Sequence, residues 1–266
     1  MAIPALLDYE YQYRDDGVKL NSSSVVPFVD VESITGLDMS EIDLTEVDID
    51  GQHGGVINAE YFKTRTIVID CTIYADPANV DVFMDTLISN FVPNGTQPFY
   101  FKGAGVGIRL IYAKSLGIKY NIDTLRRTGS CKAQIILKAA DPLKYVETTT
   151  TLTNNTYFTA NNVGNMPTRP IFDIRSGTHN SITLRNNTTG KQIIIPRQAV
   201  LGDIMVVDFN TKTITTNGIR NSSILGTGVV DWWELIRGNN SIRFVSAGTT
   251  GYTVPVVSVV WRSGWA

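Results

Sequence analysis

Apolar and polar residues alternate at period two through much of the first half of the chain. In the run Thr66–Tyr74, apolar side chains occupy one face and a mixed set occupies the other, as a half-buried strand requires. The same spacing returns in residues 107–115 and 131–139. These patterns predict antiparallel strands that each bury one face.

One segment among these strands changes to a helical period. Asp76 is placed to cap a helix, Pro77 suits its first position, and apolar residues then recur at intervals of three and four up to Phe91. The triplet Pro93–Gly95 ends the pattern. The sequence therefore predicts one amphipathic helix, about residues 77–91, docked on a sheet.

The second half follows a Thr- and Asn-rich, uncharged stretch, residues 148–167, and contains only short strand-like runs separated by turn residues. Asn and Gly recur at these turns, as at Asn217–Gly218. Many short strands at this spacing predict an antiparallel sandwich. We therefore expect two domains, 1–150 and 151–266, with part of the stretch forming the first strand of the second domain.

Charge is divided unevenly between the two halves. Residues 1–150 carry 13 Lys+Arg and 20 Asp+Glu, a net charge of −7, while residues 151–266 carry 10 and 5, a net charge of +5. Nine acidic residues and no basic residue lie between Asn21 and Phe62. This run fits either a solvated acidic face or one of two opposite-sign surfaces that meet between chains. In the second interpretation, a ring or tube interface contains Glu41, Asp43, Glu46 and Asp48.

The residues that catalysis and metal binding require are scarce. The two histidines, His53 and His179, lie in turn-like segments without triad or metal-ligand spacing. The glycine-rich segment 103–107 leads into a strand, so the helix N-terminus that holds a phosphate is missing. Asp48–Gly51 is only a fragment of a calcium loop. We expect no enzyme, cofactor or metal, and a hydrolase that depends on His179 is the least favoured class.

Partners and compartment follow from similar observations. Basic residues are scattered rather than clustered with stacking aromatics, which disfavours nucleic-acid recognition. No apolar run approaches the length of about 20 residues that crosses a bilayer, and the first residues lack a secretory pattern. Cys71 and Cys131 share strand parity with apolar residues and are interpreted as buried thiols. We expect synthesis in a cytoplasm and no membrane insertion.

Trp232 and Trp233 stand side by side shortly before a Gly-Asn-Asn turn. Adjacent side chains on an extended chain face opposite sides, so only one of the pair can readily stack on a ligand while the other packs inward. A sugar platform, a membrane anchor and a packed end of a sandwich are the alternatives. We favour packing, with these residues as structural anchors of the second domain: Trp232, Trp233, Gly238 and Asn239.

Several motifs occur in an order that resembles a known family. The hairpin-like GDIMVVDFNTKTITTNG and the later L-x-x-G-N-N-x-I are the most specific, and EYFKTRTIVIDCTIY and AADPLKY in the first half follow the same layout. Together they are similar to the distal tail proteins of long-tailed phages, the Dit family. The resemblance covers nearly the whole chain.

The resemblance implies a mainly β fold. It consists of an N-terminal antiparallel β-sandwich with one α-helix and a long hairpin, followed by a C-terminal galectin-like antiparallel β-sandwich. It also implies a structural role in the virion, made in the host bacterial cytoplasm: a hexameric ring at the phage tail tip. The expected partners are other copies of the chain, the tail tube protein, the tail-associated hub or fibre protein, the tape-measure C-terminus and a receptor-binding protein.

The alternative function is a carbohydrate-binding, host-adhesion module of the tail tip. Larger members of the family carry an inserted carbohydrate-binding module, and no segment of this chain is long enough to be one. Adhesion is therefore expected to belong to partners, since a galectin-like fold alone is no evidence of sugar binding.

Overall fold

The computed structural model describes residues 3–22, 25–51, 53, 55–152, 157–175, 180–196, 201–221, 230–248 and 255–266. Its contacts divide the chain into two units, Met1–Lys144 with Ala266, and Tyr145–Trp265. This division lies before the expected boundary at residue 150. The strand Lys144–Leu152 includes the first residues of the Thr-rich segment, and all of it after Lys144 belongs to the second unit. Both units are built mainly of antiparallel strands, which confirms the predicted fold class.

The first unit contains two sheets that share one long strand. Its elements are β1 (Tyr11–Tyr13), β2 (Lys19–Leu20), β3 (Phe28–Thr35), β4 (Ile42–Asp48), β5 (Gly55–Phe62), β6 (Arg65–Tyr74), α1 (Val80–Phe91), β7 (Gln97–Phe101), β8 (Arg109–Tyr120), α2 (Ile122–Thr128) and β9 (Ser130–Ala139). One sheet has the order β2-β1-β7-β8 and the other β8-β9-β6-β3, because the first part of β8 pairs with β7 and the second with β9. Apolar residues from both sheets and from α1 form a single core.

The predicted helix is present but begins at Val80, three residues later than expected. Asp76 forms a turn before it instead of capping it: its side chain accepts a hydrogen bond from the Ala78 N–H at 3.1 Å, and its carbonyl accepts one from the Asn79 N–H at 2.8 Å. Val80, Leu87 and other apolar residues of α1 then pack into the core.

The expectation of a single helix was wrong, because α2 is a second one. Asn121 caps it by accepting a hydrogen bond from the Thr124 N–H at 3.0 Å, and Gly129 ends it with φ 72°. Leu125 is its only buried residue, so the seven residues of α2 show no repeating apolar positions. The Asn cap and the terminal Gly are the signals by which it could have been predicted.

Strands β4 and β5 pair with each other in a separate two-stranded sheet. They form the long hairpin that the resemblance implies.

The second unit is a sandwich of two antiparallel sheets. Its strands are β10 (Lys144–Leu152), β11 (Tyr157–Asn162), β12 (Ile171–Arg175), β13 (Ser181–Asn186), β14 (Lys191–Ile195), β15 (Ile204–Asp208), β16 (Thr213–Thr216), β17 (Ile219–Arg220), β18 (Gly238–Ala247) and β19 (Val256–Trp265). One sheet has the order β17-β16-β15-β12-β19-β10 and the other β11-β18-β13-β14. Their inward-facing residues form a second core. The galectin-like character of this sandwich stays a prediction.

Candidate functional site

The hairpin β4–β5 lies outside the hydrophobic core of the first unit. Every residue of β4 is exposed, and in β5 only Ala59 and Phe62 are half-buried. Large apolar side chains are nevertheless frequent on it: Leu44, Val47 and Ile57 are 46%, 51% and 51% exposed. An isolated two-stranded hairpin is at best marginally stable in water. The hairpin therefore presents apolar surface that the core of its own unit does not cover.

The four acids that the sequence assigned to an interface all lie on or beside β4. Because side chains alternate along a strand, Glu41 and Asp43 point to one side of the hairpin, and Glu46 and Asp48 point to the other. Lys63 Nζ lies 3.5 Å from the carboxylate of Glu41 and 3.6 Å from that of Asp43. Within the described ranges, no ion pair includes Glu46 or Asp48. The acids thus form two pairs on opposite faces rather than one patch.

Two buried cations hold the loop that leads into the hairpin. Arg65, 4% exposed, donates from Nη1 to the carbonyls of Gly36 and Asp38 at 2.7 and 2.6 Å. Lys144, 9% exposed, donates from Nζ to the carbonyls of Leu37 and Asp38 at 3.0 and 3.3 Å. Burial lowers the pKa of both groups, and the charge of Arg65 further lowers the pKa of Lys144. The two side chains together fix three successive carbonyls at the root of the hairpin.

The tryptophan pair of the second unit lies against its core. Trp233 is 1% exposed, and its indole N–H donates to the Leu184 carbonyl at 3.4 Å. The Phe209 ring centroid lies 4.4 Å from that of Trp233 and 5.2 Å from that of Trp232, which is only partly buried. Trp233 therefore contributes to the core, while Trp232 covers Phe209 from the outside.

The turn after the tryptophans is held by an asparagine that the sequence analysis did not select. Asn240 is fully buried; its side chain accepts from the Ile236 N–H at 3.0 Å and donates to the carbonyls of Ile236 and Gly238 at 2.7 and 3.0 Å. Gly238 has φ 88°, which favours glycine. Asn239 is exposed. Asn240 lies two residues before the buried Ile242 in the same strand, and alternation places both side chains on the inward face. This was the signal that pointed to Asn240.

Side chains that could bind a metal ion do not converge in the described part of the chain. No group of three or more His, Cys, Asp or Glu side chains there could hold a metal ion. His53 is exposed, and His179 lies outside the described residues. Cys71 and Cys131 are buried and free, and burial raises the pKa of the Cys71 thiol to about 12. Of the helices in the described ranges, none is long and apolar enough to cross a membrane.

Comparisons with known proteins point to phage tails. Residues 163–265 match the family model of the siphovirus-type tail component, C-terminal domain. The distal tail protein of Bacillus phage SPP1 is 22% identical over 222 residues, which are 82% of this chain and 85% of that relative.

Two solved structures share the fold of this chain. SPP1 Dit, described as a paradigm of the hub adsorption apparatus in phages that infect Gram-positive bacteria, superposes with a TM-score of 0.69 at 18% identity, covering 97% of this chain and 99% of its own. A chain of the phage P2 baseplate in its activated conformation with Ca superposes with a TM-score of 0.55 at 8% identity, covering 96% and 98%. These findings confirm the resemblance to siphophage distal tail proteins.

Proposed function

Because residues 163–265 match the family model of the siphovirus-type tail component, C-terminal domain, we propose that this chain forms a hexameric ring at the tip of a phage tail. The ring joins the tail tube to the tail-associated hub or fibre protein. The tape-measure C-terminus and a receptor-binding protein are its further partners, and the chain acts without turnover, as a structural component of the virion.

The observation that carries this proposal is the uncovered hairpin β4–β5. Its apolar side chains and its two strand edges face solvent in the single chain, and large apolar surfaces of this kind mark contacts with other proteins. A closed ring requires two different, complementary surfaces on each copy. The hairpin supplies one of these two surfaces, and its acidic residues make that surface negatively charged.

The carbohydrate-binding alternative relies on the tryptophan pair as a stacking platform. Trp233 is buried. Trp232 is only partly buried, and its ring makes an edge-to-face contact with Phe209, with the ring planes at 83°. The pair is better suited to packing than to sugar binding, so we assign adhesion to the partner proteins.

The test is the mass of the purified full chain, measured by light scattering after size exclusion over a range of protein and salt concentrations. We expect a species of six times the 29.3 kDa chain mass. Reversal of all four acids to lysine should weaken its formation, most strongly at low salt, because charge on exposed surfaces is screened by ions. The reversed residues are Glu41, Asp43, Glu46 and Asp48.

The control reverses two exposed acids away from the hairpin, Asp85 and Asp231, and should leave the assembled mass unchanged. A wild-type chain that stays monomeric at every concentration would contradict the ring. An assembly that is indifferent to the four reversals would remove the acids from its interfaces.

A further inference from the structure

The outer face of the β8-β9-β6 sheet has an apolar centre. Val68 of β6 lies directly opposite Ile136 of β9, and both are half-buried on the outward side. Beside them, Leu116 sits in the irregularity of β8 between Ser115 and Gly117 and is 63% exposed. A bulge of this kind redirects a side chain away from the regular ladder. Here it presents a large apolar group to solvent on β8, beside the Val68–Ile136 pair.

Three lysines surround this centre. Lys114 of β8 and Lys138 of β9 are directly opposite each other, and Lys119 lies farther along β8 on the same face. Like charges directly opposite on neighbouring strands destabilise a sheet. No ion pair in the described part of the chain involves any of the three, whereas Lys132, elsewhere on this face, pairs with Glu32. We name this surface the lysine-rimmed patch: Val68, Leu116, Ile136, Lys114, Lys119 and Lys138.

One face of the hairpin has the complementary chemistry. The register pairs Leu44 with Glu60 and Glu46 with Ile57, and Asp48 follows on the same side of β4. This face therefore combines exposed apolar side chains with three carboxylates, and none of the three forms an ion pair between described residues. We name it the acidic hairpin face.

We propose that the lysine-rimmed patch of one copy receives the acidic hairpin face of the next copy. This inference rests on the proposed ring and identifies its second surface. Apolar groups meet apolar groups at the centre, and three carboxylates meet three ammonium groups around them. Burial of the apolar centre supplies affinity, and the charges set orientation.

The dimensions of the two surfaces agree with this arrangement. The seven residues of β4 extend for roughly 23 Å at about 3.3 Å per residue. The three strands of the patch lie about 4.8 Å apart, so the hairpin, two strands wide, can lie across them. Because the giving and receiving surfaces differ, the contact is head-to-tail and can close into a ring.

The test uses charge exchange within the full chain and follows self-association by light scattering. The K114E/K138E variant should need on the order of tenfold more protein to assemble at low salt. Adding E46K and D48K to the same chain makes the hairpin basic and the patch acidic, so the fourfold variant should recover assembly. The matched control, K191E/K212E, changes two exposed lysines of the second unit and should assemble like wild type.

A structural defect is separable from a lost interface. K114E/K138E replaces one like-charge pair by another, so its melting temperature should match that of wild type. Leu116→Asp should weaken assembly at both low and high salt, because it places a charge in the apolar centre.

Two results would overturn the inference. If K114E/K138E assembles like wild type while the reversed hairpin does not, the patch is not the receiving surface and the proposed ring still stands. If the fourfold variant fails to recover, the two surfaces do not meet. A wild-type chain that never self-associates would overturn the proposed function as well.

Discussion

The hairpin β4–β5 of the first unit and the tryptophan corner of the second place apolar residues in opposite environments. The tryptophan corner consists of Trp232, Trp233, Phe209 and the turn held by Asn240. Leu44 and Ile57 are about half exposed on a sheet that no layer of described residues covers, whereas Trp233 is 1% exposed between two layers. Apolar side chains stabilise a unit only where another layer covers them. Where no layer of described residues does, as on β4–β5, our proposal is that the same residue types contact another chain.

The largest effect on stability is expected when the buried tryptophan of this corner is truncated. Trp233→Ala should lower the free energy of unfolding by about 3 to 5 kcal/mol, because it leaves a cavity beside Phe209. Trp232→Ala is the matched control and should cost clearly less, since that ring is only partly buried. Urea unfolding of both variants measures the difference. A Trp233→Ala variant as stable as wild type would place that ring on the surface and revive the sugar platform.

A smaller effect separates two neighbouring asparagines of the same corner. Asn240→Ala should cost about 1 to 3 kcal/mol, because it removes a fully buried amide and its hydrogen bonds to the Ile236 N–H and to two carbonyls. Asn239→Ala should stay within about 0.5 kcal/mol of wild type, since Asn239 is exposed. Thermal melts of the two variants give the comparison. Equal losses would show that the turn, rather than the buried amide, determines stability.

The smallest effect on stability is expected from the hairpin. Leu44→Ser combined with Ile57→Ser should change the unfolding free energy by no more than about 0.5 kcal/mol per site, because both side chains are exposed in the single chain. Self-association by light scattering should nevertheless weaken. A large loss of stability in a monomeric preparation would mean that the hairpin is part of its own unit's core, which would end the contrast with the corner.

Alternation along the chain was sufficient to predict three strands of the first unit, at residues 66–74, 107–115 and 131–139, and the short strands of the second unit, because period two is a local property. α1 was predicted for the same reason, although its start was placed three residues early. α2 was missed because one buried residue, Leu125, produces no period. The acidic run was recognised by its charge, and the family resemblance implied a long hairpin without placing it; the structure shows that residues of this run form the exposed hairpin β4–β5.

The candidate surfaces depend on residues that are distant in sequence. Arg65 and Lys144 meet at the hairpin root only because β6 and the end of the first unit converge there. Lys114 lies opposite Lys138 only because of the register in which β8 pairs with β9. This register shifts between Ser115 and Gly117. No local pattern fixes such a register, so these contacts required the structure.

The two edges of β4–β5, which pair with no other described strand, also bear on the solubility of the single chain. Unpaired strand edges with apolar side chains are templates for aggregation, and charged residues on them deter it. Glu46 and Asp48 form no ion pair between described residues, and every copy carries both, so two hairpins repel each other edge to edge. This repulsion opposes both symmetric pairing and stacking into fibrils. We therefore expect these acids to favour the solubility of the single chain.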